Sequence, residues 1–300
     1  MSWLQKLLPP KIKRDAGAPK KIVPEGLWSK CESCEAVLYR ADLEKNLSVC
    51  PKCSHHNRVS ARERLDILLD QEGRYEIGAE VLPLDTLKFK DSRRYSERLE
   101  KARIETSEED ALIVMQGSIK TIPVVTAAFE FGFLGGSMGS AVGERFVRGV
   151  QVLAEYGLSF DICISHAQLA AATELVRRCP QTSFILDHLG KPQIKDQLLD
   201  PWREQMRELA ALPNVICKVS GAVTEADPEH WSSADLRPYV AHAIEVFGEE
   251  RVAFGGDWPV TLLASSYRRW VETLDELTAG LSEAAKRKLW AENAKRFYRI

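Results

Sequence analysis

The 300-residue chain contains no apolar run approaching the roughly 20 residues needed to span a bilayer, so no membrane-spanning helix is expected. Residues 1–10 lack both a long apolar stretch and a small-residue cleavage site, so no secretory leader is expected. An excess of one charge is also lacking. The net charge of −2 gives no global pull toward nucleic acid, which is not expected as a partner. With 45% hydrophobic and 28% charged residues, disorder is excluded for most of the length. The length suits one large domain or two to three small ones.

Charge is nevertheless uneven. Residues 1–150 carry 24 Lys+Arg against 22 Asp+Glu, and residues 151–300 carry 17 against 21. Residues 1–25 are basic and proline-spotted and read as a flexible, solvated tail, with an anionic partner as the other reading. The seven cysteines are an odd number, and without a leader they imply a reducing, cytoplasmic setting. Cys163, Cys179 and Cys217 sit singly among apolar neighbours and read as small buried hydrophobes.

The other four cysteines have a pattern. Cys31-Glu-Ser-Cys34 and Cys50-Pro-Lys-Cys53 are two C-x2-C pairs separated by fifteen residues. Each pair aims two thiolates at one point, and two pairs complete the tetrahedral four-sulfur shell of structural Zn²⁺. Such a shell has no open position, so the ion would hold a fold at residues 26–58 rather than perform chemistry. A redox dithiol is the alternative. His55 and His56 read as surface residues.

Further along, residues 62–69 and 91–104 read as helices. Residues 112–118 and 121–131 read as strands paired about a tight turn at Ile119-Lys120. The segment from Gly132 to Ser140 is a glycine-rich turn leading into a helix. Gly135 and Gly136 there could present backbone N–H groups to an anion or acyl oxygen, or could simply allow close packing.

Several segments, namely residues 24–28, the ribbon with Ser54-His55-His56, Leu87-Lys88-Phe89-Lys90-Asp91, and Phe129 to Ser140, together resemble the bacterial acetyl-CoA carboxylase carboxyltransferase beta subunit. The resemblance runs from residue 1 to about residue 148. It implies a zinc ribbon packed on a crotonase-like α/β domain, incomplete here over residues 59–147. It also implies a carboxyltransferase alpha subunit and a biotin carrier protein as partners in moving a carboxyl group from carboxybiotin to acetyl-CoA. The family's Ser-Gly-Gly-Ala-Arg-type turn, whose amides polarise a carbonyl, has no counterpart after Val150.

From about Phe160 short apolar strands alternate with helical patterns. Strands are expected at 160–164, 183–186, 215–219 and 251–254, and helices at 169–178, 201–212, 236–247, 262–277 and from 282 onward. Successive β-then-α units imply parallel pairing, and four of them make half of a (β/α)8 barrel. Polar residues fall at or after strand ends: Ser165-His166, Asp187-His188, Lys218 with Ser220, and Asp257. Imidazoles beside a carboxylate suit a divalent metal or acid–base work on a carbonyl. His230 and His242 fall outside this phase and read as surface or helix-packing residues.

The segments around His166-Ala-Gln-Leu169, Leu186-Asp-His-Leu-Gly-Lys-Pro192, Cys217-Lys-Val-Ser-Gly221 and Phe254-Gly-Gly-Asp-Trp-Pro-Val260 resemble the lactonase branch of the amidohydrolase superfamily, over residues 144–300. The resemblance implies hydrolysis of sugar lactones or related cyclic esters. By motif, His166 would follow barrel strand 5, His188 strand 6 and Asp257 strand 8, with Asp257 as general base. The family's first-strand His-x-His pair has no counterpart, since residues 1–150 hold only His55 and His56. A second divalent metal at this rim is not expected.

The two resemblances meet within residues 143–151, inside what reads as one shared helix and with no linker. The expected architecture is therefore a zinc ribbon plus a partial crotonase-like domain joined to barrel strands 5–8 over residues 148–300. The function expected first is a composite without a complete active site. A lactone hydrolase and a carboxyltransferase subunit are the alternatives.

Overall fold

In the computed structural model residues 27–300 are described; the basic stretch 1–25 lies outside them. The chain divides between Val59 and Ser60 into two compact units.

The first unit is built around two matching turns. Strands β1 (Trp28–Lys30) and β2 (Val37–Tyr39) pair antiparallel, followed by helix α1 (Arg40–Lys45). The N–H of Cys31 donates to the Ala36 carbonyl and that of Glu35 to the Cys31 carbonyl. In the second turn Cys50 donates to His55 and Ser54 to Cys50. Each turn uses a left-handed residue one position after its second cysteine, Glu35 (φ 59°) and Ser54 (φ 58°). Cys31, Cys50 and Leu38 form the small buried core.

The second unit contains two separate sheets. Helix α2 (Ala61–Leu68) is N-capped by Ser60, whose side chain accepts from the Glu63 N–H. Strand β3 (Tyr75–Ile77) pairs with β4 (Leu112–Ile119), after helix α3 (Tyr95–Thr106), and β4 pairs antiparallel with β5 (Ile122–Phe129). The hairpin turns at Lys120-Thr121, one residue later than expected, and both residues have positive φ. Asp70 clamps it by accepting from the Lys120 and Thr121 N–H groups and the Ser118 hydroxyl. The Thr121 N–H, followed by the Ser118 hydroxyl, holds the Asp70 carboxyl below its usual range.

Helix α4 (Ser140–Val152) serves both halves of this unit. Val142 belongs to the core beneath the antiparallel sheet, whereas Val147 and Val150 belong to the core of the parallel one. Arg145 is buried and donates to the carbonyls of Leu112 and Val81. Gly149 allows the helix to approach β4, because a Cβ there would stand 2.7 Å from Val114 Cγ1.

Beyond α4 four strands form a parallel sheet in sequential order: β6 (Ser159–Ile162), β7 (Ser183–Leu186), β8 (Val215–Val219) and β9 (Val252–Phe254). The helices are α5 (Leu169–Arg178), α6 (Trp202–Ala210), α7 (Ala222–Glu225), α8 (Ser233–Phe247), α9 (Tyr267–Leu277), α10 (Glu283–Arg287) and α11 (Asn293–Tyr298). α5 begins and ends where expected. The short α7 was not expected, and the helix expected from 262 starts at Tyr267 after one 3-10 turn. Alternate residues Phe184, Leu186, Val215, Cys217, Val219 and Val252 enter one core with the helices.

Buried indoles tie this core to the loops at the strand ends. Trp202 Nε1 donates to the Leu189 carbonyl (2.8 Å), Trp231 Nε1 to Ala264 (2.8 Å) and Trp270 Nε1 to Gly255 (2.9 Å). Among the described residues no helix is long and apolar enough to cross a membrane.

Candidate functional site

The four ribbon sulfurs lie within 4.8 Å of one another, with Cys31–Cys53 at 3.7 Å and Cys34–Cys50 at 3.8 Å. That spacing fits the tetrahedral thiolate shell of zinc, with Zn–S of about 2.3 Å. At Cys50 desolvation opposes ionisation, yet the N–H groups of Lys52 and Cys53 outweigh it and leave the thiol lowered to about 7. His55 and His56 are not part of the cluster.

Gly135 (φ 71°) and Gly136 (φ 75°) are left-handed residues in the turn between β5 and α4. The adjoining cavity of about 40 Å³ is lined by Leu134, Ser137, Gly139 and Asp110, but by neither of these glycines.

The second cluster of chemistry-bearing groups lies at the carboxyl ends of the parallel strands. Register explains the convergence. Ile162 pairs with Leu186 and Leu186 with Cys217, so the residues leaving β6 and β7 emerge side by side. Asp187 and His188 follow β7 immediately, and Lys218 and Ser220 close β8. Asp257 follows β9 through a Gly255-Gly256 turn.

His188 Nδ1 lies 2.9 Å from Ser220 Oγ and 3.6 Å from Asp257 Oδ1. The first distance is a hydrogen bond; the second is an electrostatic contact. His188 (φ 55°) and Asp257 (φ 49°) both hold left-handed backbone, a strained conformation that clusters at functional sites. Gly221 makes room for the imidazole: a Cβ there would sit 2.8 Å from His188 Cβ, and its φ is 63°. The Asp257 side chain is 9% exposed, and Thr224 Oγ1 stands 3.4 Å from its Oδ2.

Beside this group Lys218 Nζ lies 2.6 Å from Asp187 Oδ1 and 2.9 Å from Asp161 Oδ2. Tyr298, from α11, donates to the same Asp161 oxygen at 2.5 Å. Desolvation works against the Lys218 ammonium, but the hydrogen bonds to its partners prevail and raise its pKa above the ordinary lysine value. Glu225 in α7 is shifted the other way for an acid. Burial raises its carboxyl, opposed by Lys191 and His188.

The structure thus brings together His188, Asp257, Lys218, Ser220 and Asp187. His166 is placed differently, with its Nδ1 3.1 Å from the Lys191 carbonyl oxygen. His242 is buried and its Nε2 meets the Arg203 carbonyl at 2.9 Å, whereas His230 is on the surface. Cys179 and Cys217 are buried as expected, but Cys163 is exposed at the end of β6. The strand ends one residue earlier, at Ile162, so the thiol falls at the strand mouth. Asp161, Glu225 and Tyr298 were also missed. Asp161 has a signal, an acid alternating with apolar residues in a short strand.

The model of the amidohydrolase family matches residues 127–300, more than half of the chain. That of the acetyl-CoA carboxylase zinc finger domain matches residues 28–53. Among solved structures, an amidohydrolase from Burkholderia multivorans is similar at 36% identity and a TM-score of 0.51. The match covers 52% of this chain and 58% of that one. The same description in a second crystal form, with bound zinc, gives 36% and 0.51, covering 52% and 57%. An amidohydrolase from Bifidobacterium longum subsp. infantis is 25% identical with a TM-score of 0.43, covering 52% and 55%. The chain therefore spans somewhat over half the length of these structures.

Proposed function

The chain belongs to the amidohydrolase family through residues 127–300, and from that premise we propose that the rim of its parallel sheet hydrolyses a cyclic ester of the lactone class. The observation that carries this reading is the convergence of His188 and Asp257, two residues in left-handed backbone, from the ends of different strands.

In the proposed reaction Asp257 takes a proton from water as the oxygen bonds to the lactone carbonyl carbon. The Lys218 ammonium, paired with Asp187 at this rim, would offset negative charge developing on the carbonyl oxygen. Collapse breaks the ring C–O bond, and the alkoxide takes up a proton. Glu225, biased by burial toward its protonated form, is suited to supply it. The Burkholderia structure with bound zinc raises the question of a metal. The imidazole of His188 and the carboxylate of Asp257 are donors of the right chemistry for it. Such an ion would polarise a carbonyl or acidify a water.

A second reading has its own support. We take the four strands as the second half of an eight-stranded barrel, and residues 59–147 as an incomplete crotonase-like domain of a carboxyltransferase beta subunit. Between the edge strands β5 and β6 lies a gap of about 280 Å³, lined largely by apolar groups such as Val125, Phe146, Val150 and Phe160. The gap is partly open to solvent and leaves apolar groups of both edge strands uncovered. The gap is what two interrupted domains joined through α4 would leave, and it favours a composite with no complete site and no productive carboxyltransferase partners.

Following ring opening over a panel of sugar lactones by proton release separates the two readings. Sustained turnover by folded protein is the expected result of the hydrolytic reading. A folded chain inert on the whole panel would establish the composite one.

A further inference from the structure

We propose that Tyr298 is a positioning residue of the rim, one that holds the Lys218 ammonium in place by way of Asp161. The use made of that ammonium rests on the hydrolytic reading, but its position can be measured without turnover.

Strand register puts the partners on one face of the sheet. Asp161 pairs with Ile185, and Ile185 with Ile216. Asp187 and Lys218 lie two residues beyond Ile185 and Ile216, so alternation along the strands gives all three polar side chains the same face. It is the face opposite to Phe184, Leu186, Val215, Cys217 and Val219, which pack with the helices. There Lys218 Nζ reaches Asp187 Oδ1 at 2.6 Å and Asp161 Oδ2 at 2.9 Å.

Helix α11 arrives from the last strand. Asn293 at its start is buried and donates to the carbonyls of Glu249 and Val252, each at 2.7 Å, where β9 begins. Tyr298 at its end donates to Asp161 Oδ2, the oxygen that also receives Lys218. The helix is thereby tied to both edge strands of the four-stranded sheet. The ammonium also stands over the Tyr298 ring, 5.7 Å from its centroid.

The hydroxyl matters because the two carboxylates are unequal. The Asp187 side chain is 13% exposed and that of Asp161 37%. A carboxylate in contact with water can turn outward, and the flexible lysine stem lets the ammonium follow one partner alone. The Tyr298 hydroxyl pins the Asp161 oxygen and draws off part of its charge. Lys218 is then held between two fixed acceptors without being fully quenched by them. Burial, and then the bond to Asp161, raise the Tyr298 phenol above its ordinary value, so it keeps the proton it donates.

The test uses the full-length chain and trace acetylation, with the rate at each lysine amine read by mass spectrometry. Lys195, paired with Asp227 on the surface, is the internal reference. In wild type Lys218 should react at least about tenfold more slowly than Lys195. Tyr298→Phe, which keeps the ring, should raise the Lys218 rate at least about threefold and leave Lys195 unchanged. Asp161→Asn should raise it as much, and the double variant should add nothing further, since both act through one oxygen. A wild-type Lys218 as reactive as Lys195, an unchanged rate in Tyr298→Phe, additive effects in the double variant, or a rise at both lysines together would each overturn the proposal. Lactone turnover assayed in parallel keeps the readings apart. Where wild type turns over, Tyr298→Phe should lower kcat at nearly constant KM, and an unchanged kcat would overturn the proposal. An inert wild type overturns the hydrolytic reading alone, and the acetylation rates still decide the position of Lys218.

Discussion

The ribbon and the rim of the parallel sheet each gather ionisable groups around one point, but over very different lengths of chain. The ribbon draws its four thiols from residues 31–53, using the same turn twice. The rim draws its groups from Asp161 to Tyr298, so four strands and the last helix must be in place before the groups meet. A local site can form with its metal, whereas a distributed one inherits every defect of the sheet that carries it.

The largest expected effect breaks the comparison on the ribbon side. Cys50→Ser should abolish zinc retention and unfold residues 27–59, since structural zinc contributes on the order of 10 kcal/mol to such domains. Metal analysis should fall from one equivalent to none, and amide signals of the ribbon should collapse. The thermal transition of residues 60–300 should stay in place.

On the rim side, Gly221→Ala should cost about 2–4 kcal/mol, combining left-handed strain with displacement of the His188 ring. Chemical denaturation measures it. A neutral result would mean that the imidazole is not held against this turn.

Trp270→Phe keeps an aromatic ring but removes the N–H that holds the Gly255 carbonyl and part of the buried indole volume, for an expected loss of about 1–3 kcal/mol. It should also loosen the Asp257 turn, visible as faster amide exchange after β9.

The smallest effect is a pH slope. Burial raises the Glu225 carboxyl above its ordinary 4.5, so the folded state holds this proton more tightly than the unfolded chain. Its contribution therefore makes stability fall as pH rises from 4.5 through the raised value. Glu225→Gln should flatten that part of the stability profile, and an unchanged slope would remove Glu225 from the account.

How much of this could be read from the sequence follows the same division. The clustering of the ribbon's four cysteines was legible, because C-x2-C spacing is a local code, whereas β1 and α1 carry no such pattern. The four parallel strands were legible because each is a short apolar run between helical patterns. The pairing of His188 with Asp257 was legible only as phase, as two polar residues that each follow a strand. The contacts around it were not. Cys163 looked like a strand residue because a strand's end cannot be fixed to one position by hydrophobicity. Tyr298 reaches Asp161 from 137 residues away, and no periodicity carries that information. Glu225 depends on α7, a single turn too short to show a helical pattern. His166 kept its expected place after the first parallel strand, yet a carbonyl in the Lys191 loop takes up its Nδ1.

Lactone hydrolysis through Asp257, proposed for the rim of the parallel strands, is tested by a paired rate measurement. Wild-type chain and Asp257→Asn, matched for zinc content and circular dichroism, are compared on the lactone opened fastest. Hydrolysis with Asp257 as general base predicts measurable wild-type turnover and a loss of at least about a hundredfold in the variant. Equal rates in the two proteins, or no turnover in either, would contradict it.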